Sequence, residues 1–221
     1  LFLISRRTSP QSNELFGNIM SFIYTILGSV ADTAGFSKAG ETWASERLKT
    51  LGAQSVAASQ IIMGGELAGK VLISFETKTI DAAMSLQTGI YADKELVALI
   101  QDTGVSIDRR NLMRRQAEFG ERTGQYLSAL YVNSDSVDDG TAQKNFARPW
   151  ENMKKGANGL ATLQLVAGGQ TPFSHVVLCW LDSADSFYAA STKNFDDPAV
   201  KQMMKELNVK VVGRILGRRL F

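Results

Sequence analysis

The sequence has one cysteine and one histidine in 221 residues, and each scarcity excludes a class of site. Cys179 cannot form an intramolecular disulfide, and a lone cysteine suits a reducing compartment, so we expect a cytoplasmic protein. Zinc and non-haem iron centres use several histidines or a histidine–carboxylate cluster. Because His175 is the one histidine and no metal-ligand spacing of histidine or cysteine occurs in the sequence, we expect no metal.

An excess of one charge and a long apolar run are also missing. The net charge is +2, which gives no electrostatic drive toward nucleic acid or an anionic membrane. The apolar run at residues 1–4 is too short for a signal sequence or a membrane span, and the arginines follow it. We therefore expect no nucleic-acid partner and no membrane partner, and we interpret residues 1–19 as a disordered leader.

What the sequence does contain is one module present twice. Residues 20–118 align with residues 124–221 at a fixed offset along the chain. The matched residues are Gln60 with Gln164, Gly64-Gly65 with Gly168-Gly169, Asp93 with Asp197, and Arg110, Leu112, Arg114, Arg115 with Arg214, Leu216, Arg218, Arg219. A register held across several elements indicates two units, each of a size that buries one modest core.

The apolar periodicity predicts the same order of elements in both units. In the first unit it predicts strands at 22–27, 56–63, 71–75 and 105–113, with helices at 37–51, at 78–86 and after an N-cap at Asp93. In the second it predicts strands at 126–132, 160–166, 175–181 and 209–216, with helices at 142–155, at 183–191 and after Asp197. The order β-α-β-β-α-β is that of the ferredoxin-like unit.

The predicted fold class is therefore α+β, with two tandem ferredoxin-like repeats. Each repeat forms an antiparallel sheet with helices on one face, so we expect the open faces to pack sheet-to-sheet as a pseudo-dimeric α+β barrel. This topology resembles the dimeric α+β barrel superfamily, which includes small monooxygenases, haem-dependent peroxidase-like enzymes and lactone isomerases. Its members commonly pair two chains, whereas here the pair would be fused. The sequence leaves open whether the fused barrel forms further homo-oligomers through a free sheet edge.

Strand alternation assigns the side chains of each strand to two faces. The uniformly apolar residues of the third strands are predicted to lie beneath the helices: Val71, Ile73 and Phe75, matched with Val176, Leu178 and Trp180. The mixed faces then point between the sheets, in or at the rim of the barrel. They carry Gln60, Gln164, Arg110 and Arg214.

A guanidinium in this position needs a partner, because an unpaired charge in a low dielectric is costly. Arg110 and Arg214 are therefore catalytic candidates that could orient an anionic ligand, together with His175 as a general base. Candidate substrate-binding residues are Gln60, Gln164, Arg114 and Arg218. The alternative is a hydrogen-bond network that fixes the register between the halves, with a structural histidine whose counterpart in the first unit is Lys70.

The resemblance implies a protein that binds or converts a small apolar or aromatic molecule, by cofactor-free oxygenation or isomerisation. Haem-binding relatives use a histidine on a helix, whereas His175 begins a predicted strand, so we expect no haem and no other cofactor. The alternative is a non-catalytic structural or interaction protein with a filled barrel core. Nucleic-acid binding through the arginine clusters is the least favoured, since interleaved aromatic residues are missing.

A ligand-sized cavity between the sheets would distinguish the first two functions. Small residues on the predicted strands favour empty volume there: Ala57, Ala58, Ala161 and Thr162.

Overall fold

A computed structural model describes residues 21–221, and the predicted leader at residues 1–19 lies outside them. The strands are β1 (Phe22–Val30), β2 (Ser55–Met63), β3 (Val71–Thr77), β4 (Val105–Gly120), β5 (Tyr126–Asn133), β6 (Gly159–Ala167), β7 (His175–Leu181) and β8 (Lys210–Arg219). The helices are α1 (Thr33–Ala39), α2 (Ser45–Thr50), α3 (Ile80–Ala92), α4 (Lys94–Asp102), α5 (Asp139–Met153), α6 (Ala184–Asp196) and α7 (Pro198–Glu206), and a π-helical turn at Gly40–Ala44 joins α1 to α2.

All eight strands close into one antiparallel barrel in the order β1-β3-β2-β8-β5-β7-β6-β4. Each half of the chain contributes four neighbouring strands, and the two sets are joined by hydrogen bonds between β2 and β8 and between β4 and β6. The two sheets therefore meet edge to edge around a common lumen and do not stack face to face. Closure also removes the free sheet edge within the described residues.

Each strand of the barrel has one face under the helices and one face toward the lumen, and both faces carry apolar residues. The predicted assignment of the third-strand residues to the helix side is therefore wrong in the second half. Val71 and Phe75 lie under the helices of the first half, as predicted. Their predicted matches Val176 and Trp180, with Leu178 between them, instead line the lumen. An apolar strand face packs equally well against helices or around a lumen, so apolar character alone could not separate the two.

The prediction for the third strands was also wrong by one residue. Gln60 pairs with Val71 in the first hairpin, and Gln164 pairs with His175 in the second. The counterpart of His175 is therefore Val71 and not Lys70. His175 consequently lies on the outer face of the barrel, beneath helices.

The predicted helix N-caps at Asp93 and Asp197 are confirmed. Asp197 accepts hydrogen bonds from the backbone N–H groups of Ala199 and Val200, and Asp93 makes the equivalent pair of bonds. Arg148 also donates to Asp197, with its Nη2 2.6 Å from Oδ2. These bonds, led by that from Arg148, lower the pKa of Asp197 to about 2.

We expect Asp197→Asn to lower the thermal midpoint at pH 7 but to have little effect at pH 2. The pKa of Asp197 in the folded protein, about 2, lies below the ordinary carboxyl value of 3.8. The ionised carboxylate therefore stabilises the fold at pH values above 3.8. That contribution is lost as the pH falls through the folded-state pKa. Circular-dichroism melts between pH 7 and pH 2 would measure it, with Asp196→Asn as an exposed control. An equal difference at every pH would contradict this role.

Within residues 21–221, every helix is too short or too polar to cross a bilayer.

Candidate functional site

Two cavities lie on opposite sides of the barrel wall in the described part of the chain. The lumen has a volume of about 430 Å³, which falls within the usual range for small-molecule sites. Ala57 and Ala161 line it, whereas Ala58 and Thr162 are on the outer face. The second cavity, of about 100 Å³, lies between strands β5 to β8 and helices α5 to α7. We call it the cleft, and it is somewhat smaller than the roughly 150 Å³ cavity that holds one benzene ring, so entry of a ring requires a small movement of its roof.

The cleft is formed by an aromatic and thioether roof over a strand floor. The floor includes Leu130 of β5 and Val177 of β7, both half-buried. Helices α5, α6 and α7 supply the roof: Phe146, Phe187, Phe195, Met153, Met203 and Met204. Flexible methionines adapt to different ligand shapes, and the aromatic rings favour an aromatic or apolar guest.

Arg214 of β8 enters this cleft from its floor. Its Nη2 donates to Ser191 Oγ at 3.1 Å, and its guanidinium lies over the rings of Phe187 at 5.2 Å and Phe195 at 5.8 Å. Its Nε is buried and has no hydrogen-bond partner among the described residues. The acidic side chains of residues 21–221 form no ion pair with it.

Arg214 is therefore a half-buried cation whose buried Nε–H has no acceptor among the described residues. Burial lowers its pKa, but a guanidinium keeps its proton in proteins. The neighbouring thiol does not neutralise it, because burial raises the pKa of Cys179 to about 12. A buried donor without an acceptor is costly, and a charged oxygen is its strongest partner.

His175 of β7 lies in the floor of the same cleft. Its Nδ1 is 3.0 Å from Ser134 Oγ and 2.9 Å from Ser174 Oγ. The same hydroxyls lie 3.3 and 3.4 Å from the backbone carbonyls of Asp135 and Ser134 respectively. In the tautomer with the proton on Nδ1, the hydroxyls accept from the ring and Nε2 is the basic nitrogen. Burial lowers the pKa of His175, so the ring is neutral at pH 7 and can accept a proton.

The structure thus brings two of the predicted catalytic residues together. Arg214 pairs with Leu130, and His175 pairs with Val132, on opposite sides of β5. Since strands are about 4.8 Å apart and two residues along a strand span about 7 Å, the backbones of the two residues are about 12 Å apart. A small guest on the cleft floor would lie between them.

The third predicted catalytic residue, Arg110, is in the other half and has a partner. It is exposed, and its Nη2 donates to the hydroxyl of Tyr91 at 2.7 Å. In the first half, Phe221 packs against the helical segment of α1, with its ring 5.7 Å from that of Phe36. Phe221 and Leu220 form backbone hydrogen bonds with Ala58 of β2. At the equivalent position of the second half, Thr162 of β6 pairs with Ala117 of β4.

The four predicted substrate-binding residues line neither cavity. Gln164 accepts a hydrogen bond from Arg114 Nη2 at 3.0 Å, where β4 meets β6. Gln60 faces Arg218 where β2 meets β8. Both pairs therefore lie on the seams between the two halves, which is where the alternative network was expected. Arg114 also lies 3.0 Å from Asp139 Oδ1, in a charge contact without hydrogen-bond alignment.

Sequence reasoning missed a group of four charges at one end of the lumen, which we call the quartet: Glu76, Arg115, Glu118 and Arg122. Arg115 Nη2 lies 3.2 Å from Glu76 Oε1, and Arg122 Nη1 lies 2.5 Å from Glu76 Oε2. Glu118 contacts both arginines. The group carries two charges of each sign, so it neutralises itself.

The cleft does not fit a haem. Its volume of about 100 Å³ is far below that of a typical cofactor pocket. The one histidine of the chain is on the strand floor, and helices α5 to α7 present none. No group of three or more histidine, cysteine or acidic residues that could hold a metal occurs in residues 21–221.

Neither a protein-family model nor a curated protein matches the chain. Solved structures do match it. An anthrone oxidase-like protein superposes with a TM-score of 0.56 at 12% identity, covering 92% of each chain. A mutant chlorite dismutase from Candidatus Nitrospira defluvii, in complex with cyanide, gives 0.54 at 9% identity and covers 93% of this chain and 92% of that one.

This chain has the dimeric α+β barrel fold. A further neighbour is a candidate monooxygenase from Lactobacillus acidophilus NCFM, with a TM-score of 0.51 at 11% identity, covering 91% of this chain and 95% of that one. The resemblance drawn from the sequence is confirmed at the level of the fold. At these identities the likeness extends to the fold alone.

Proposed function

We propose that this protein binds a small aromatic or apolar molecule that carries an acidic group, a carboxylate or a phenolate, in the cleft of its second half. The observation that carries the proposal is the buried Nε of Arg214, which has no acceptor among the described residues. An anionic oxygen would satisfy this donor, and the roof of phenylalanines would cover the apolar part of the guest.

His175 extends the proposal from binding to chemistry. An enolisable ketone with its carbonyl oxygen at Arg214 would transfer a C–H proton to Nε2 of the Nδ1-protonated ring, and the enolate oxygen left behind would be stabilised by Arg214. That anion could react with dioxygen, or it could be reprotonated at another carbon. The proposed reaction class is therefore cofactor-free oxygenation or isomerisation. Neighbours named as chlorite dismutase and monooxygenase support an enzyme-like barrel.

We further propose that residues 20–118 and 124–221 are tandem ferredoxin-like repeats, of which the second alone binds this guest. The support is the shared strand order, since β4-β1-β3-β2 of the first half corresponds to β8-β5-β7-β6 of the second. In the first half, Phe221 packs against α1. The chain therefore has one site for this acidic guest.

Native mass spectrometry of the protein purified from its producing cells tests the proposal. We expect one adduct per chain whose mass and fragmentation identify an acidic molecule, and it should be absent from the denatured sample. Val177→Phe fills the cleft floor, so this variant should fold, by circular dichroism, and carry no acidic adduct. An acidic adduct that persists in Val177→Phe would contradict the proposal. So would a wild-type protein that carries none and also gives no heat on titration with salicylate.

A further inference from the structure

The lumen is a cavity that the proposed function does not use. All eight strands contribute to its wall, which is mostly apolar at its centre: Ile23, Leu72, Met113, Ala129, Leu163, Leu178 and Ile215. The quartet closes one end. Leu67 and Phe173, from the two hairpin loops, pack at the other. A space of about 430 Å³ exceeds what a few waters need, and apolar walls hold water poorly.

A short belt of polar groups interrupts the apolar wall. Thr25 lies between Ser74 on β3 and Asn111 on β4. Thr25 Oγ1 donates to the carbonyl of Asn111 at 3.5 Å, and Ser74 Oγ donates to the carbonyl of Ala57 at 3.4 Å. With their protons directed into the wall, both hydroxyls offer lone pairs to the lumen.

Asn111 adds an acceptor that is not satisfied. The residue is 8% exposed, and its Oδ1 is buried with no hydrogen-bond partner among the described residues. Buried polar atoms in folded proteins nearly always have partners. The belt therefore presents acceptors, and the group that would satisfy it is an O–H or N–H donor.

The charges around the lumen do not call for an ion. The two arginines and two glutamates of the quartet pair with one another. Arg109, Arg219 and Glu66 also line the lumen, and all three are exposed to water. Burial raises the pKa of Tyr131, beside Phe173, to about 12, so its phenol stays neutral. A neutral guest is the one that leaves no buried charge unpaired.

We propose that the lumen is a second binding site, separate from the cleft, for a neutral and largely apolar molecule with one O–H or N–H donor. The donor would bond to Asn111 Oδ1, and the apolar body would fill the space along the barrel axis. The cleft selects an anion through Arg214, whereas the lumen selects a neutral donor, so the two sites take different chemical classes.

N-phenyl-1-naphthylamine is a suitable probe, because it is neutral, apolar and has a single N–H, and its fluorescence rises in apolar surroundings. We expect saturable binding of one molecule per chain. Ala57→Phe, which fills the lumen, should weaken binding at least tenfold. Asn111→Leu should weaken it about 3- to 10-fold, the range for one hydrogen bond. Competition by 1-phenylnaphthalene, which lacks the N–H, should be unchanged by Asn111→Leu.

Val177→Phe, which fills the cleft, separates this site from the proposed function. It should leave binding of the naphthylamine unchanged, and circular dichroism would establish that each variant folds. Absence of saturable binding to the wild-type protein would overturn the proposal. So would binding that survives Ala57→Phe but is lost in Val177→Phe, since the probe would then occupy the cleft.

Discussion

Replacing Arg214 by methionine is expected to abolish binding of salicylate, a small aromatic carboxylate, without loss of stability. Each charge-assisted hydrogen bond to the guanidinium contributes about 1.5 to 3 kcal/mol, so loss of a two-point contact should weaken binding roughly 100-fold or more. In the free protein this half-buried cation has no ion-pair partner among the described residues, and its buried Nε has no acceptor there. The free energy of unfolding of Arg214→Met should therefore be unchanged or higher.

Arg110→Met is the matched control, because Arg110 occupies the equivalent strand position in the first half and bonds to Tyr91. It should leave the affinity for salicylate unaltered. Calorimetric titration of the three proteins, with urea unfolding of each, measures both quantities. Salicylate binding that survives in Arg214→Met would contradict the assignment. Destabilisation of that variant by several kcal/mol would show that Arg214 supports the fold instead.

Replacing Glu76 by glutamine is expected to destabilise the barrel by about 3 to 5 kcal/mol, the range for removing one partner from a buried ion pair. Glu76 of β3 pairs with Arg115 of β4 and with Arg122 in the segment that links the two halves. The quartet would then have one carboxylate, Glu118, for its two guanidiniums. For a protein of this size the thermal midpoint should fall by about 6 to 20 °C.

Glu46→Gln provides the comparison, since Glu46 and Lys49 form an ion pair on the exposed surface of α2. Surface pairs contribute about 0 to 1 kcal/mol, so this variant should melt close to the wild type. Thermal and urea unfolding would be followed by circular dichroism. If Glu76→Gln cost no more than Glu46→Gln, the quartet would not stabilise the junction of the halves.

Local sequence signals carried the prediction of the elements, because they depend on short-range chemistry. All eight strands occur near their predicted positions, and both aspartate caps are present. The strand β4 extends to Gly120, beyond its predicted end at residue 113. Its second part pairs with β6 of the other half, and no local pattern encodes a partner that is distant in the chain.

The site was predicted only in part, because it depends on how strands are ordered around the barrel. Arg214 and His175 were chosen singly for their chemistry, and they share a cleft because β5 lies between their strands. The duplication suggested that Arg110 would act like Arg214. Phe221 and Tyr91 break that symmetry, and a repeat alignment gives no weight to such contacts.

A crystal structure of the protein soaked with salicylate tests the central claim most directly, because it locates the guest in one of two separate cavities. We predict density for one salicylate in the cleft, with a carboxylate oxygen within hydrogen-bond distance of Arg214 Nε and the ring beneath Phe187 and Phe195. Salicylate found in the lumen alone, or an Arg214 Nε that stays unbonded beside it, would contradict the claim.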